Sequence, residues 1–419
     1  MRALQFDYRI PLYVLGRIPT TIGKLSAWSC AKALGRFFPA VFWSGGLRCL
    51  RYRELPEPPL PGPDWVRVRV RYGGICGSDL GYVTLHNSLS LSAYASLPCT
   101  MGHEGVGTIA ELGLAVEGFA VGERVVVEPS LGCVVRGFDD LCPACARGDH
   151  GVCERRTEGA IAAGTYTGAC ASTGGTWSPF FVAHQSQLLR VPEEVSDENA
   201  VMSEPFAVAL RAVLRNPPPE GGTALVLGAG VVGLCVIAAL RALGYPNRVL
   251  VAAKHPFQAE WASHYGADEV IRPGDDRALA EALSARLHRP IVGKPVVSGG
   301  AEVVYECVGS DASLDTAIRF TRGGGTAVVL GLAAIPKGID WAHIWLKEIA
   351  VHSSYVCGFE TWQGRRVRTM QLALDLMAGG KVDLAPLVTH RFPLAEYRKA
   401  LAMATRKSRH RLVKAVFVF

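Results

Sequence analysis

Acidic residues are missing from one long stretch of this 419-residue chain, between Tyr8 and Arg53. Eight lysines and arginines fall in the same stretch, which is more than the net charge of +7 of the whole chain. The remaining sequence is therefore close to neutral. A modest excess of basic charge in one place does not indicate a nucleic-acid-binding protein, so we expect no nucleic-acid partner.

The chain is also poor in charge overall. Charged residues make up 19% of the sequence and hydrophobic residues 49%, which excludes a disordered chain. The 46 glycines and 25 prolines follow no period, which excludes collagen and a coiled coil. A chain of 419 residues is longer than one hydrophobic core usually organises, so we expect two domains.

The first residues carry Asp7 and lack a basic segment followed by an apolar one, so we expect no signal peptide. Four of the 12 cysteines crowd into residues 133–153 and the others are scattered. This pattern favours a reducing cytoplasm over a secreted disulfide framework. The uncharged residues 221–240 have the length of a membrane span. Their five glycines and strand-then-helix pattern favour a buried βα unit instead.

The hydrophobic pattern changes along the chain. Residues 65–72 alternate apolar and basic, which predicts a half-exposed antiparallel strand, and short strands follow at 105–112 and 124–129. After three consecutive prolines the chain alternates strands with helices, which predicts a parallel sheet covered on both faces. The predicted elements are strands at 223–227, 248–252, 302–306 and 326–330, helices starting at Val231, Pro256 and Asp311, a helix-like stretch at 364–378, and a final strand in 412–419.

Gly228, Gly230 and Gly233 form a GxGxxG motif between a predicted strand and a predicted helix. The first glycine permits a tight turn, the second lets the backbone approach a pyrophosphate, and the third lets the helix pack against the strand. The helix N-terminus supplies amide donors and a positive dipole. In this context the motif predicts a dinucleotide-binding turn.

An acid about twenty residues after this motif would bind the ribose 2′-hydroxyl of NAD. The position holds Ala253, and Lys254 and His255 follow it. The missing carboxylate and the adjacent cations favour NADP, whose 2′-phosphate needs a positive partner. Lys254 as an ordinary solvated residue remains the alternative, and Arg272 could share or take the role.

Two groups of residues have the chemistry of metal ligands. Four cysteines, at two-residue and longer spacings, predict a closed structural zinc site; they are Cys133, Cys142, Cys145 and Cys153. Cys76, His103 and Glu204 lie far apart in the sequence, but together they would offer a zinc ion three ligands and one open position. Taken singly, each of these three has an ordinary structural interpretation, and spacing alone does not join them.

The motifs GICGSD, GHEGVG, the four-cysteine loop, SEPFAVAL, GAGVVG and ECVGS follow one another in this order. From about Leu47 to the C-terminus the chain resembles the zinc-dependent medium-chain alcohol dehydrogenases, in the branch of polyol, threonine and related secondary-alcohol dehydrogenases. The resemblance implies an α/β protein in which a Rossmann domain with a doubly wound parallel sheet interrupts a GroES-like, mainly-β catalytic domain. The expected ranges are 1–210 (with a basic insert at about 9–47 and a zinc lobe at 133–153), 211–350 and 351–419.

The same resemblance implies site residues and a reaction. Cys76 and His103 would be catalytic zinc ligands, Glu204 the third, Glu104 an outer or exchangeable ligand, and Ser78 the hydroxyl that relays the substrate proton. The expected cofactor contacts are Gly228, Gly230, Val231, Val232, Gly233, Ala253, Lys254, Cys307, Gly309 and Gly331. We expect a zinc-dependent transfer of hydride between a secondary alcohol, or its ketone or aldehyde, and NADP or NAD, in a homodimer or homotetramer.

The chain departs from the family pattern at several positions. Eight residues instead of two separate Cys133 from Cys142, so Cys142 could be joined by Asp139 or Asp140 in place of Cys133. Gly81 stands where many members have a histidine that passes the proton outward. A zinc-independent enal or quinone reductase and a non-catalytic NADP-binding protein are the alternatives. The retained metal-ligand residues tell against both.

The basic stretch has no counterpart in the family. Its cations are interleaved with apolar side chains, which are Leu25, Trp28, Leu34, Phe37, Phe38, Val41, Phe42 and Trp43. A helix around 22–38 could pack its apolar stripe on the catalytic domain or on a partner subunit, as a lid that faces the substrate. The alternative is a peripheral contact with an anionic membrane.

Overall fold

The computed structural model of the chain describes residues 1–7, 39–44 and 48–419. The described residues divide into two compact units, the first formed by Met1–Glu204 and Asp383–Phe419 and the second by Pro205–Val382. From the sequence we expect the chain to return to the first unit at residue 351. The return comes later here because residues Ala350–Ser353 still pair in the parallel sheet of the second unit. The helix expected around 22–38 lies outside the described residues.

Twenty strands lie in the described part of the chain. They are β1 (Arg2–Phe6), β2 (Leu50–Glu54), β3 (Trp65–Gly74), β4 (Cys99–Thr100), β5 (Gly105–Leu112), β6 (Arg124–Val127), β7 (Phe180–His184), β8 (Leu188–Arg190), β9 (Thr223–Leu227), β10 (Arg248–Ala252), β11 (Glu269–Ile271), β12 (Arg286–His288), β13 (Val296–Ser298), β14 (Ala301–Glu306), β15 (Thr321–Val329), β16 (Ala350–Ser353), β17 (Phe359–Trp362), β18 (Arg365–Arg368), β19 (Val388–Pro393) and β20 (Lys414–Val418).

Thirteen α-helices lie in the same described residues. They are α1 (Val41–Ser44), α2 (Gly77–Val83), α3 (Pro143–Arg147), α4 (Asp197–Val201), α5 (Ser203–Arg215), α6 (Val231–Ala242), α7 (Pro256–His264), α8 (Asp276–Ala282), α9 (Asp311–Phe320), α10 (Ala342–Leu346), α11 (Thr369–Ala378), α12 (Tyr397–Ala404) and α13 (Lys407–His410).

The first unit is mainly β. Its larger sheet has the order β19-β20-β3-β5-β6-β8, with β7 also paired to β3, and its smaller sheet has the order β2-β1-β4. In the central strand β3, Val66, Val68 and Val70 are buried while Arg69 and Arg71 are exposed. Successive side chains of a strand point to opposite faces, so this alternation gives the sheet one apolar and one polar face. The strand predicted at 65–72 is confirmed.

A described part of the basic stretch is packed in the core of this unit. Phe42 and Trp43 of α1 are almost fully buried in the same apolar cluster as Phe6 and Tyr82. The rings of Phe6 and Tyr82 meet edge to face, 6.0 Å apart. Large aromatic side chains contribute much of the apolar area that a core buries. Phe42 and Trp43 are therefore core residues.

The second unit is built on a six-stranded parallel sheet of order β11-β10-β9-β14-β15-β16. Counted along the chain this is the order 3-2-1-4-5-6 of a doubly wound dinucleotide-binding sheet. Nearly every residue of β9, β10 and β14 is buried, as expected of parallel strands that are covered on both faces. The predicted α/β architecture of the second domain is confirmed.

Residues 221–240 belong to this sheet unit: they contain β9 and most of α6. Both elements are buried, which explains the high hydropathy of the segment. In the part of the chain that the structure describes, no helix is long and apolar enough to cross a membrane.

The stretch at 364–378 is predicted as one helix, but it contains a strand followed by a helix. Residues Arg365–Arg368 form β18, which pairs with β17 in an antiparallel hairpin, and the helix α11 begins only at Thr369. The turn between the two strands places Gln363 (φ 49°) and Gly364 (φ 74°) in the left-handed region. Two left-handed residues form the two-residue turn that suits a twisted hairpin, and this turn chemistry outweighed the helix-like pattern.

Candidate active site and metal centres

The first metal-ligand group is organised around Asp79. Its carboxylate accepts a hydrogen bond from the backbone N–H of Cys76 at 2.9 Å, at the start of α2. The other carboxylate oxygen, Oδ1, lies 3.2 Å from Nδ1 of His103. Asp79 is 1% exposed, so both contacts are shielded from water. A carboxylate at Nδ1 orients the imidazole and leaves Nε2 for a metal ion.

His103 lies between β4 and β5 and is buried. Its ring packs edge to face on Tyr166, with ring centroids 5.0 Å apart. Burial alone would lower the pKa of His103, but the negative charge of Asp79 outweighs it, and the pKa lies well above its ordinary value. The site around this imidazole therefore favours a positive charge.

Glu104 forms an ion pair with Lys414 of β20, and both side chains are only 1% exposed. Gly74 leaves the room for this carboxylate, because a Cβ at Gly74 would collide with Glu104. A buried acid and a buried base neutralise each other, and either one alone would be strongly destabilising. Lys414 thus holds Glu104 in place beside His103.

Three ligand atoms, from Cys76, His103 and Glu104, lie within 4.8 Å of one another. Glu204, the ligand expected as the third, is not part of that group, but it is buried in the first turn of α5. Burial raises the pKa of Glu204 to about 7, the charge of Glu104 adds to the effect, and His103 and Lys414 oppose it. In the described residues its carboxylate has no hydrogen bond or ion pair. Glu204 is thus a buried acid without a directly contacting cation among the described residues.

Ser78, the expected proton relay, is half-buried in α2, one turn from the metal group. The side-chain amide of Asn87 donates to the carbonyl oxygen of Ser78 at 3.4 Å. A Cβ at Gly81 would collide with the amide oxygen of Asn87. Asn87 therefore fills the space that a side chain at position 81 would enter, and it was not identified in the sequence.

The four lobe cysteines come together. Their sulfur atoms all lie within 4.8 Å of one another, and Cys133 Sγ is 3.7 Å from Cys153 Sγ. A tetrahedral zinc site with Zn–S bonds of about 2.3 Å requires sulfurs about 3.8 Å apart. Backbone N–H groups donate to the sulfurs of Cys133, Cys142, Cys145 and Cys153. The donor set fits a closed zinc site, and it includes Cys133 despite the long gap before Cys142.

Arg136 explains how the long gap folds. Its guanidinium is fully buried and donates to carbonyl oxygens of the surrounding loop, among them those of Leu131 at 3.1 Å and Glu158 at 2.9 Å. Burial lowers the pKa of Arg136, while the nearby thiols of Cys170, Cys153 and Cys133 raise it. The residues inserted between the first two cysteines thus bring a buried cation to a cluster of thiolates.

The predicted dinucleotide-binding turn joins β9 to α6. Gly228 has a φ of 96°, a conformation that favours glycine. A Cβ at Gly230 would meet nothing within 4 Å, so the backbone there is open to a ligand. A Cβ at Gly233 would collide with the carbonyl oxygen of Gly228. Each glycine therefore has the local geometry that its part in the motif requires. Val231 and Val232 lie in the first turn of α6, and their side chains are half-buried.

Ala253 follows the last residue of β10 directly, and Lys254 beside it is exposed. In the parallel pairing of β10 with β11, Ala252 is opposite Ile271. The next residues, Ala253 and Arg272, therefore leave neighbouring strands at the same edge of the sheet. Arg272 is exposed as well. An alanine therefore occupies the position where the acidic ribose-binding residue of a dinucleotide fold is expected, with two cations beside it.

The remaining expected cofactor contacts lie after β14 and β15. The buried carboxylate of Glu306 accepts from the backbone N–H groups of Val308 and Gly309, both at 2.8 Å. A Cβ at Gly309 would collide with the carbonyl oxygen of Gly331, so these two strand ends approach closely. Cys307 lies between Glu306 and Val308, and burial raises its pKa well above the ordinary value. This thiol is neutral.

Besides Asn87 and Arg136, the residues that organise these sites and were not predicted from the sequence are Asp79, Lys414 and Glu306. Each carried a signal. Asp79 lies three residues after Cys76 at a helix start, where a carboxylate accepts from free backbone N–H groups. Lys414 is a lone charge in the apolar stretch 412–419, and Glu306 ends an apolar strand.

Two family models match the chain. Residues 62–193 match the alcohol dehydrogenase GroES-like domain, and residues 231–371 match the zinc-binding dehydrogenase family. The chain belongs to the zinc-dependent medium-chain alcohol dehydrogenases. It is an oxidoreductase that acts on alcohols with zinc and a nicotinamide cofactor, and the expected combination of a GroES-like and a Rossmann domain is confirmed.

Similar proteins are polyol and diol dehydrogenases. L-idonate 5-dehydrogenase of Vitis vinifera is 29% identical over 377 residues, which are 90% of this chain and 93% of the relative. Sorbitol dehydrogenase of Bacillus subtilis is 29% identical over 359 residues, with 84% and 91% covered. The solved structure of 2R,3R-butanediol dehydrogenase from Bacillus subtilis has a TM-score of 0.68 at 26% identity and covers 88% of this chain and 96% of that one.

Proposed function

We propose that this dehydrogenase oxidises a secondary hydroxyl of a polyol or diol, and reduces the corresponding ketone, with NADP as its preferred cofactor. The observation that carries the proposal is the group of the partly exposed Cys76 and the buried His103 with two nearby carboxylates. The similarity to dehydrogenases of idonate, sorbitol and butanediol supports the class of substrate.

Cys76, His103 and Glu204 are the proposed ligands of the catalytic zinc. Glu104 is closer to the first two, but Lys414 already neutralises it. Glu204 has no such partner, and its raised pKa reflects a carboxylate that needs a cation nearby. Ionised carboxylates pair with cations or metals when buried. Glu104 is then the outer carboxylate, which could exchange with a ligand of the zinc ion.

The chemistry divides between bound groups and the chain. Bound zinc supplies a Lewis acid that lowers the pKa of an alcohol hydroxyl, and bound nicotinamide supplies a hydride acceptor. Asp79 holds the imidazole of His103 in one orientation. Ser78 Oγ accepts the proton that leaves the substrate hydroxyl and donates its own proton onward. Tyr166 packs on His103 and excludes water from that side of the imidazole.

The cofactor is proposed to bind the second unit with its pyrophosphate at Gly230 and the first turn of α6. The N-terminus of a helix donates N–H groups and a positive dipole to a phosphate. Lys254 and Arg272 are the proposed partners of the 2′-phosphate of NADP, because Ala253 stands where an acid would bind a free ribose hydroxyl. Cys307, Gly309 and Gly331 line the neighbouring strand ends.

The assembly and compartment are further parts of the proposal. A homodimer or homotetramer is supported by β16, an edge strand in the described sheet, and by the exposed Trp341 and Trp345 nearby in the sequence. Light scattering in solution measures the subunit number. A cytoplasmic location is supported by the eleven described cysteines, none of which is in a disulfide.

The ligand assignment is tested by zinc content and turnover together. Glu204→Gln removes the negative charge that the metal needs, so we expect it to lose the catalytic zinc and turnover with sorbitol or butanediol as substrate. The matched control is the double variant Glu104→Gln/Lys414→Met, which removes both charges of the buried pair at once and leaves no unpaired ion. We expect this control to keep its zinc. Loss of zinc from the control and retention by Glu204→Gln would assign the ligand to Glu104 instead.

A further inference from the structure

A strongly basic cavity lies in the first unit, apart from both metal-ligand groups. It has a volume of about 510 Å³, within the range of small-molecule sites, and no acidic residue among its described lining residues. Four of its lining residues are arginines, Arg48, Arg51, Arg53 and Arg398. The first three belong to β2 and the residues before it, and the fourth belongs to the first turn of α12. The cavity shares no residue with either metal-ligand group.

The arginines of this cavity lack counter-ions. In the described residues none of the four forms a salt bridge, and the buried Nε of Arg51 has no hydrogen-bond partner at all. Arg53 donates to the neutral amide of Gln5, and Arg398 donates to the hydroxyl of Tyr397. A buried donor without a partner costs free energy unless a ligand satisfies it.

Two acids that neighbour lining residues in the sequence have other partners. Glu54 of β2 lies 4.0 Å from Arg2, and Glu396 is paired with Lys399 at 2.9 Å. Neither of them is among the residues that line the cavity. The positive charge of four guanidinium groups at one cavity is therefore not compensated by the described residues around it.

The geometry of the donors favours phosphate. A guanidinium presents paired N–H groups that match two oxygens of a phosphate, and several arginines together select a group with more than one negative charge. The rings of Tyr52 and Tyr397, 5.7 Å apart, form an apolar wall beside the charges.

We propose that this arginine cavity binds a phosphate-bearing anion, with the phosphate oxygens on Arg51 and Arg398 and an organic portion against the two tyrosines. The anion has either of two sources, a soluble phosphorylated metabolite or the headgroup of an anionic lipid. The site gives a role to the positive charges at 48–53, which form no salt bridge within the described residues and take no part in the dehydrogenase chemistry.

The test measures binding of inorganic pyrophosphate by calorimetry and of vesicles by co-sedimentation. Saturating NADPH is present throughout, so that the dinucleotide-binding turn does not take up the pyrophosphate. The vesicles are pure phosphatidylcholine, or phosphatidylcholine with phosphatidic acid. Binding of pyrophosphate alone identifies a soluble ligand, and binding of phosphatidic acid vesicles at low salt identifies a lipid headgroup. Binding of neither by the wild-type protein overturns the proposal.

Variants separate this cavity from the net charge of the protein. Arg51→Gln/Arg398→Gln should weaken binding about tenfold or more, because each arginine provides charge-assisted hydrogen bonds to the anion. The matched control Arg286→Gln/Arg365→Gln removes the same charge from two exposed arginines of the second unit and should bind as the wild type does. An equal loss in both double variants would show only non-specific attraction and would refute the site. Unchanged dehydrogenase activity and unfolding temperature in all variants verify that they are folded.

Discussion

The three carboxylates around the first metal-ligand group have different roles because their neighbouring side chains differ. Glu104 and Glu204 are both buried carboxylates, yet only Glu104 has a cationic side chain against it. Asp79 has a third role, because it contacts both Cys76 and His103. The same side-chain chemistry thus serves as a charge partner, a proposed metal ligand and an orienting group, depending on which strand or helix lies opposite.

Cofactor choice is predicted to depend on two residues. The variant Lys254→Ala/Arg272→Ala should raise the KM for NADPH by about tenfold or more and leave that for NADH nearly unchanged, because each charge-assisted hydrogen bond to the 2′-phosphate is worth about 1.5–3 kcal/mol. Ala253→Asp should have the opposite preference, since its carboxylate repels the phosphate and accepts from a ribose hydroxyl. Arg286→Ala, on β12, is the charge control. Equal changes of KM for both cofactors would show that the two cations are ordinary surface charges.

Glu198 provides a prediction on pH. Its carboxylate accepts hydrogen bonds from Tyr72 and Arg391, both at 3.0 Å. Burial by itself would raise the pKa of Glu198, but these donors and its own backbone N–H outweigh it, so the pKa lies below its ordinary value of 4.5. A lowered pKa means that the folded state is stabilised above the ordinary pKa and loses this stabilisation as the pH falls through the folded value.

Glu198→Gln should therefore destabilise the protein at neutral pH by about 0.5–1 kcal/mol, a small amount because the ion pair is partly exposed. The difference from the wild type should shrink once the pH falls below about 4, where the wild-type carboxyl also becomes protonated. Urea unfolding at several pH values measures it. A difference that stays constant with pH would mean that the substitution acts through packing alone.

At the scale of the elements, the cysteines of the zinc lobe and the cysteine before helix α2 have different roles. The lobe closes four sulfurs around one position, and its loops contain little regular structure. A closed site of this kind contributes the free energy of metal binding to folding. Cys76 instead precedes α2, which the hydrogen bond to Asp79 already stabilises.

Cys145→Ser should lower the unfolding temperature and remove one zinc ion while leaving turnover measurable in the folded fraction. Cys76→Ser should abolish turnover and leave the unfolding temperature nearly unchanged. The matched control is Cys170→Ala, which removes a buried thiol that donates to Ala162 and belongs to neither metal group. Calorimetry and elemental analysis measure these effects. The assignment of roles would be wrong if Cys145→Ser unfolded at the wild-type temperature.

At the scale of the whole molecule, the described residues contain two separate metal-ligand groups, both in the first unit. We predict two zinc ions per chain. The lobe cysteines are buried and Cys76 is partly exposed, so a chelator should remove the catalytic zinc first. Turnover should then be lost before the protein unfolds. Elemental analysis that finds a single zinc ion in active enzyme would contradict the prediction.

The sequence by itself determined the elements whose pattern is local. The strands β5, β9 and β10 and the starts of α6, α7 and α9 lie where periodicity and glycine placement predict them. The cysteine spacing identified the lobe, and the order of motifs identified the family. Local signals of this kind depend on residues close together in the chain, so no knowledge of distant contacts is needed to use them.

Only the tertiary structure decided which distant residues share a site. Lys414 meets Glu104 because β20 joins β3 in one sheet, and nothing near either residue in the sequence indicates the other. The four arginines of the basic cavity come together in the same way, from β2 with the residues before it and from α12. Side chains separated by hundreds of residues are brought into contact by strand pairing and core packing, and these depend on the whole fold rather than on the local pattern.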